Sequence, residues 1–329
     1  MSLLFVSDSD ASYPHRAADG DGDGEVVWRT LRSTMRVLVI SAGIAGLDPG
    51  AAGSAVGSAW ADLGHQVAVV PIGIGGSGLV AAVSTIPGAV VVTAGEGESS
   101  AQLGVDLAAA RDVATILVDL TGDCADDGGA GLVSALGGLA VSDGAIEVAR
   151  SVVSGRTLVA VVSDDELEAP LLGVRGVAAR RTYSSGKPDI GAALAGDAVF
   201  AHLAADLGMP EPPPGAGAGN GLALAILALG GVVRTGPAAI GELVGIERSL
   251  AGADLVVILT EVLDFGGAGI AETRAAAAWA EQALVPCVAI ATRVQISGRE
   301  LRTLGVESAY EVGADVASGA ARIARTWNW

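Results

Sequence analysis

The sequence predicts an α/β protein built on parallel β-sheet, and three observations support this class. Short runs of Val, Ile and Leu recur along the chain and are apolar throughout instead of alternating with polar residues. Ala-rich stretches with helical spacing lie between most of these runs, and glycine clusters follow several of them. Strands that are apolar on both faces and alternate with helices are typical of parallel sheets covered on both sides.

The predicted elements begin at residue 36, after a polar and acidic segment that predicts a disordered tail over residues 1–34. The runs that predict strands are rich in β-branched and aliphatic side chains, which favour a pleated and buried backbone. They occupy residues 37–40, 67–70, 89–92, 115–118, 158–162, 255–259 and 285–290. The stretches that predict helices cover residues 52–63, 102–112, 190–207, 222–229 and 271–283.

Composition excludes several classes of protein. With 329 residues, 51% of them hydrophobic and 17% charged, the chain is too apolar to be disordered and long enough for a large core. A net charge of −18 argues against binding to nucleic acid or to an anionic membrane surface. No apolar run is both long enough and free enough of glycine to predict a helix that spans a membrane. The two cysteines, Cys124 and Cys287, predict neither a disulfide framework nor a zinc site, and the expected compartment is the cytoplasm.

Four glycine-rich loops are the candidates for chemistry, at residues 73–78, 126–131, 215–221 and 264–269. Glycine lets backbone N–H groups approach an anion, and a following helix adds a favourable dipole. Each loop alone is equally explained as a tight turn that needs positive φ. Because ligands of open α/β sheets bind at the carboxyl ends of the strands, the four loops together predict a phosphate or nucleotide site.

The segment DDGGAGL at residues 126–132, with the motifs that follow it, resembles the bacterial glycerate kinase family, in the style of its actinobacterial members. Residues 115–137 contain DDGGAGL, similar to the family loop that reads NDGGAGLL, and residues 169–179 resemble its NPL-G-RGAA segment. Residues 214–222 resemble its PGAGAAGGLG loop. Residues 250–257 are similar to the strand that leads into its GEG motif, and 285–310 to its C-terminal portion. The order and spacing of these motifs make the resemblance specific.

The resemblance implies a two-domain α/β enzyme that transfers the γ-phosphoryl group of ATP, with Mg²⁺, to glycerate or a similar small hydroxy acid. It implies Asp127, Asp264 and Arg175 as catalytic residues, and Asp126 and Asp127 as metal ligands. The residues that it implies for cofactor binding are Gly75, Gly76, Gly128, Gly129, Gly217, Gly219, Asn220 and Gly221. Each has a structural alternative: Asp127 and Asp264 suit helix caps or turns, Arg175 a solvated face, and Asn220 a left-handed backbone.

Departures from the family pattern leave two functional hypotheses open. Ile74 stands where the family has Asp, residues 41–46 lack its charged residues, and the GEG motif is replaced around Glu261. A family segment is also largely missing between Leu79 and Ala114, which predicts a shortened chain. One hypothesis is a weakened kinase of a small hydroxy acid. The other is a catalytically silent homologue that binds a small anion or a protein partner.

Four further expectations concern the domain organisation and individual side chains. One parallel domain is predicted from residues 36–95 with 280–329, and an inserted domain with the glycine-rich loops from residues 96–279. Trp327 and Trp329, near the C-terminus, favour contact with the protein's own surface or with a second subunit, which leaves a homo-oligomer open. Lys187 is a weaker candidate phosphate ligand, because Pro188 prevents a P-loop helix. Acidic neighbours of Cys124 argue against a thiolate nucleophile.

Overall fold

The computed structural model describes residues 34–95, 97, 99–184, 186 and 189–329. The predicted tail, apart from Thr34, lies outside the described residues, and so does Lys187. Within the described part the chain forms an α/β fold with two parallel sheets, so the predicted class is confirmed.

Nine strands form the two sheets of the described chain, and seven of them coincide with the predicted runs. They are β1 Arg36–Ser41, β2 Gln66–Pro71, β3 Ala89–Thr93, β4 Thr115–Asp119, β5 Thr157–Val162, β6 Val232–Thr235, β7 Leu255–Leu263, β8 Cys287–Val294 and β9 Ser308–Glu311. The sequence did not predict β6 and β9, because each has only four residues and carries polar or half-buried side chains.

Helices connect the strands, and local capping explains several of their starts. In chain order they are α1 Pro49–Ala61, α2 Gly76–Val83, α3 Ala101–Ala109, α4 Ala130–Gly137, α5 Ala145–Val153, α6 Val177–Ser184, α7 Ile190–Asp206, α8 Leu222–Ala228, α9 Gly236–Val244, α10 Ile246–Leu250, α11 Ala268–Gln282, α12 Gly298–Thr303 and α13 Val316–Thr326. Asp48 caps α1 ahead of a proline at its first position, and Ser297 and Glu300 form a capping box at α12.

The first sheet has the order β2-β1-β7-β8-β9 and the second the order β3-β4-β5-β6, with every neighbouring pair parallel. The chain therefore leaves the first sheet after β2, builds the second sheet, and returns at β7. Two strands differ from the predicted division: β3 belongs to the second sheet, and β7 lies at the centre of the first. A buried apolar run shows that a strand forms but not which sheet it joins, since pairing depends on distant partners.

One apolar core joins the two sheets. Leu38 and Val256 of the first sheet belong to the same buried cluster as Leu117 and Val159 of the second. A second cluster fills the far side of the second sheet, and a third packs α1 and α13 on the first. Burial of this extent holds the sheets in one arrangement, so residues at their edges have defined neighbours.

The C-terminal residues pack against the chain itself. Trp327 donates a hydrogen bond from Nε1 to the Tyr310 hydroxyl at 2.8 Å, and its ring lies 5.5 Å from that of Trp329. His65 hydrogen-bonds the backbone N–H of Met35 and the side chain of Asn328. These contacts satisfy the first of the two expectations for the tryptophans, contact with the protein's own surface. Every helix among the described residues is too short or too polar to span a bilayer.

Candidate functional site

The carboxyl ends of β2 and β4 meet through a buried carboxylate. Asp119, at the end of β4, is 2% exposed. Its Oδ2 accepts a hydrogen bond from Gly76 N at 2.6 Å, and its Oδ1 accepts two from Thr121, from N at 3.0 Å and from Oγ1 at 2.7 Å. Gly75 approaches so closely that a Cβ there would lie 1.9 Å from Thr121 Oγ1. Asp119 therefore ties the loop after β2 to the second sheet.

A cavity of about 230 Å³, here called the smaller cavity, lies beside this junction. It is lined by Ile74, Gly75, Thr121, Val162, Ser163, Asp164, Thr235, Gly236, Pro237 and Ala271. The lining is thus formed at the carboxyl ends of β4, β5 and β6, and it offers hydroxyl and backbone groups. Its one charged lining residue, Asp164, pairs with Arg274 of α11 at 2.9 Å.

A second cavity of about 390 Å³, the larger cavity, lies at the ends of β7 and β8. It is lined by Gly43, Thr260, Glu261, Val262, Asp264, Gly267, Gly269, Glu272, Arg293 and Gln295. Pairing of β1 with β7 stops at Leu259, whereas β7 and β8 continue together to Leu263 and Val294. Helix α11 contributes to both cavities, because Ala271 lines the smaller cavity and Glu272 lines the larger one.

Glu272 is the buried acid of the larger cavity. Its residue is 8% exposed, and Thr260 Oγ1 donates to its Oε2 at 2.9 Å. Burial raises the pKa of the Glu272 carboxyl from 4.5 to about 7, against a smaller lowering by the Thr260 hydrogen bond. The other oxygen, Oε1, has no hydrogen-bond partner among the described residues. Sequence reasoning missed Glu272, because nothing in a run of alanines around it signals burial of a charge.

Two more charged side chains of the larger cavity differ in what they contact. Asp264 Oδ1 accepts from Gly266 N at 3.1 Å and from Gly267 N at 2.6 Å, which is the turn role that the sequence left open. The exposed guanidinium of Arg293 makes no hydrogen bond or ion pair with any described residue. Arg293 was also missed, since it follows the predicted apolar run 285–290 and belongs to no recognised motif.

The loops at 126–131 and 215–221, here called the loop cluster, contact each other, whereas the prediction placed all four glycine-rich loops at one site. Asp127 accepts four hydrogen bonds there, from Ser100 N at 2.8 Å, Ser100 Oγ at 3.1 Å, Gly129 N at 3.0 Å and Gly131 N at 3.0 Å. Asp126 pairs with Arg181 at 3.1 Å. The described residues contain no group of three or more His, Cys, Asp or Glu that could hold a metal. Asp127 does not fit Mg²⁺, since four protein donors already engage it, and Asp126 lies exposed in its pair with Arg181.

Packing accounts for the glycines of the loop cluster. A Cβ on Gly217 would lie 2.1 Å from the Pro170 carbonyl oxygen, and one on Gly129, at φ +87°, would lie 2.3 Å from Ala225 Cβ. Asn220 has φ 57° and donates from Nδ2 to the Cys124 carbonyl at 3.0 Å. Close approach of the protein's own backbone is thus sufficient reason for small residues here. Gly128, Gly219 and Gly221 are likewise buried with positive φ.

The other predicted residues lie apart from this cluster. Gly75 and Gly76 lie at the Asp119 junction, and Asp264 lies at the larger cavity. Arg175 is exposed and has no hydrogen bond or ion pair within the described chain. Two other arginines reach the loop cluster instead: Arg180 donates to the Gly217 carbonyl at 2.7 Å, and Arg181 lies over the Phe200 ring at 5.3 Å.

Cys124, beside the loop cluster, is buried and has no disulfide partner. Burial first, and then the charges of Glu166, Asp119 and Asp123, raise its pKa to about 12. The acidic neighbours therefore disfavour the Cys124 thiolate, as expected, although burial raises the pKa more than they do.

Comparison with known proteins supports the resemblance seen in the sequence. A family profile described as "Glycerate kinase family" matches residues 159–328. An uncharacterized protein of Mycobacterium bovis and another of Mycobacterium tuberculosis are each 30% identical over 209 residues, which is 60% of this chain and 51% of theirs. The chain thus spans about half the length of these curated relatives.

A crystal structure of a protein described as "putative glycerate kinase 2" from Salmonella typhimurium LT2 has a similar fold. It superposes with a TM-score of 0.70 at 19% sequence identity. The match covers 89% of this chain and 98% of that one. At this identity the likeness concerns the arrangement of the two sheets and their connections, not individual side chains.

Proposed function

The chain belongs to the glycerate kinase family, and on that premise we propose that it transfers the γ-phosphoryl group of ATP to a hydroxyl of glycerate or a similar small hydroxy acid. The observation that carries the proposal is the larger cavity. It combines the Arg293 guanidinium, which has no partner among the described residues, with the buried carboxyl of Glu272 at the carboxyl edge of a parallel sheet. Ligands of such sheets bind at this edge.

Arg293 is suited to hold the carboxylate of the acid. A guanidinium forms two parallel hydrogen bonds with a carboxylate, which fixes the orientation as well as the position of the substrate. Gln295 and the Thr260 hydroxyl line the same cavity and can bind hydroxyl groups. A volume of about 390 Å³ lies within the range of small-molecule pockets, roughly 300–1,000 Å³.

We assign the phosphates of ATP to the smaller cavity, where the chain offers hydroxyl and backbone groups. Gly75 and Gly236 line this cavity, so no side chain covers the backbone at these two positions. Thr121, Ser163 and Thr235 add hydroxyls to the lining. ATP supplies the phosphoryl group when it binds, and the chain's own residues orient it. Phosphoryl transfer depends mainly on such positioning and on charge stabilisation.

A second hypothesis, a silent homologue that binds a small anion, has its own supporting observation. Asp127 is engaged by backbone donors, and the described residues of the loop cluster include no group of three or more acids, histidines or cysteines that could hold a metal. Arg293 would still bind an organic acid in such a protein. The two hypotheses differ only in whether the bound acid is phosphorylated.

Phosphorus NMR of the full chain with Mg-ATP and glycerate tests the proposal. We expect phosphoglycerate to form, and Arg293→Gln to raise the KM for the acid about 10- to 100-fold, as loss of a charged hydrogen bond worth about 1.5–3 kcal/mol implies. Arg299→Gln is the matched control. Arg299 is also exposed but does not line the cavity, so this substitution removes the same charge away from the site.

The other outcomes separate the hypotheses. If glycerate binds in calorimetry with Arg293 required, but no phosphoglycerate forms, the silent homologue is supported. If glycerate neither binds nor reacts, the assignment of the larger cavity is wrong. Equal loss of affinity in both arginine variants would mean that net charge, rather than a specific contact, determines binding.

A further inference from the structure

We propose that Glu272 is the catalytic base, which accepts the proton of the substrate hydroxyl from its position in the larger cavity. This inference rests on the proposed function, because it concerns the same transfer reaction. It assigns the step to a residue outside the motifs that the resemblance identified.

The helix and a hydrogen bond hold the Glu272 carboxylate in a defined orientation. The residue lies in the second turn of α11, which packs against β7. Thr260 Oγ1, on that strand, binds Oε2 at 2.9 Å. Oε1 has no partner among the described residues, and the side chain lines the larger cavity. A general base needs a free oxygen, and that oxygen must lie within hydrogen-bond reach of the proton that it takes. Glu272 Oε1 provides the free oxygen.

The other carboxyl groups of the larger cavity are less suitable. Glu261 is exposed, and both of its oxygens accept hydrogen bonds, from Ala45 N at 2.5 Å and from Thr292 Oγ1 at 3.0 Å. Asp264 uses Oδ1 to hold the turn before α11. Glu272 is thus the buried carboxyl of this cavity, and it retains one unengaged oxygen.

Burial also brings the Glu272 carboxyl into a useful protonation range. Its pKa of about 7 leaves a substantial fraction ionised at neutral pH while keeping it a better proton acceptor than an exposed glutamate. The charged groups that face it are Glu261 and Asp264 from β7 and its following loop, and Arg293 from β8. Helices α9 and α10, which also contact α11, contribute no charged residue to the lining.

The proposed step moves the γ-phosphoryl group to the substrate oxygen and the hydroxyl proton to Glu272. The substrate hydroxyl oxygen forms a bond to the γ-phosphorus, while the bond between that phosphorus and the β–γ bridging oxygen breaks. ADP leaves with the electron pair of the broken bond. The hydroxyl proton passes to Glu272 Oε1, and water later takes it from the carboxyl. General base catalysis of this kind contributes about 10²- to 10⁴-fold to rate.

The test is the pH dependence of kcat and KM for the full chain and for Glu272→Gln, Glu272→Asp and Thr260→Val. In the unchanged protein, kcat should rise with pH through about 7 as Glu272 ionises. Glu272→Gln should lower kcat about 10²- to 10⁴-fold with a similar KM and remove this rise. Glu272→Asp should keep a rise with reduced kcat.

Thr260→Val separates a base from a merely structural residue. The hydrogen bond from Thr260 lowers the pKa of Glu272, so its removal should move the rise in kcat to higher pH. This shift remains measurable if Glu272→Gln fails to fold. Carbon-13 NMR of the carboxyl should show the same shift without reference to turnover.

Three results overturn the inference, and they are distinguishable. Phosphoryl transfer with an unchanged kcat and pH profile in Glu272→Gln would exclude Glu272 as the base and leave the proposed function standing. Absence of transfer in the unchanged protein would overturn the proposed function, and the inference with it. An unmoved pH profile in Thr260→Val, with a moved carboxyl titration, would also exclude Glu272 as the base.

Discussion

The loop cluster and the larger cavity use similar residues in opposite ways. In the loop cluster, glycines press against the protein's own backbone, and Asp127 accepts four protein hydrogen bonds. In the larger cavity, Glu272 keeps an oxygen without a partner among the described residues, and Arg293 has no described contact. The first region satisfies its polar groups internally, whereas the second leaves them available to a ligand.

A motif of glycines and aspartates is therefore not enough to identify a ligand-binding or catalytic site. Positive φ and close backbone approach require glycine whether or not an anion binds. A carboxylate that accepts several backbone N–H groups is already satisfied, as Asp127 is. Groups that can act on a substrate are those whose hydrogen-bonding capacity the fold has not used.

The largest expected effect comes from filling space in the loop cluster. Gly217→Ala would bring a Cβ to 2.1 Å from the Pro170 carbonyl oxygen, and we expect the free energy of unfolding to fall by about 3 kcal/mol or more. Gly266→Ala is the control, because a Cβ there meets nothing within 4 Å and its effect should stay within about 0.5 kcal/mol. Urea denaturation measures both, and equal effects would remove the contrast between the two regions.

The next effect concerns the buried acid of the larger cavity. Between pH 4.5 and about 7 the unfolded chain loses the Glu272 proton while the folded chain keeps it. The stability that this residue contributes below pH 4.5 is therefore lost as pH rises through about 7. The loss approaches about 3 kcal/mol, at 1.36 kcal/mol per pKa unit.

Denaturation of the unchanged protein and of Glu272→Gln at pH 5 and pH 8 measures this difference. The variant, which cannot ionise, should gain stability relative to the unchanged protein as pH rises. Because the change of pH acts on the whole chain, only the difference between the two proteins is informative. A difference that does not change with pH would show that Glu272 is ionised without penalty.

A smaller effect is expected from the capping carboxylate of the loop cluster. Asp127→Ala leaves the backbone N–H groups of Gly129 and Gly131 without their acceptor, and we expect a loss of about 1–2 kcal/mol. Asp126→Ala removes an exposed ion pair with Arg181 and should cost less than about 1 kcal/mol. Thermal unfolding compares the two, and a larger effect of Asp126→Ala would contradict the capping role.

The smallest effect concerns the ion pair beside the smaller cavity. Asp164 and Arg274 join the second sheet to α11 at 2.9 Å, but both side chains are about half exposed. We expect Asp164→Asn to cost less than about 1 kcal/mol, and the cost to shrink further in 0.5 M salt. A large cost that is insensitive to salt would mean that this pair, and not the shared core, holds the two sheets together.

The fold class and most strands could be predicted, because both are local properties of the chain. An apolar run such as β7 must be buried on both faces, and that requires a parallel sheet with helices above and below it. The sites were predicted less completely. Asp127 and its glycines were visible as a motif, while Glu272 and Arg293 belong to no recognisable pattern in the sequence.

The apolar runs were enough to predict an α/β protein and the positions of most strands, and the motifs were enough to show a resemblance to the glycerate kinases. The folded chain was needed to show which sheet β3 and β7 join and which polar groups keep unused hydrogen-bonding capacity. A strand forms mainly because of its own residues. Burial, as at Glu272, depends on elements that come together only in the folded chain, such as β7, which places Thr260 beside α11.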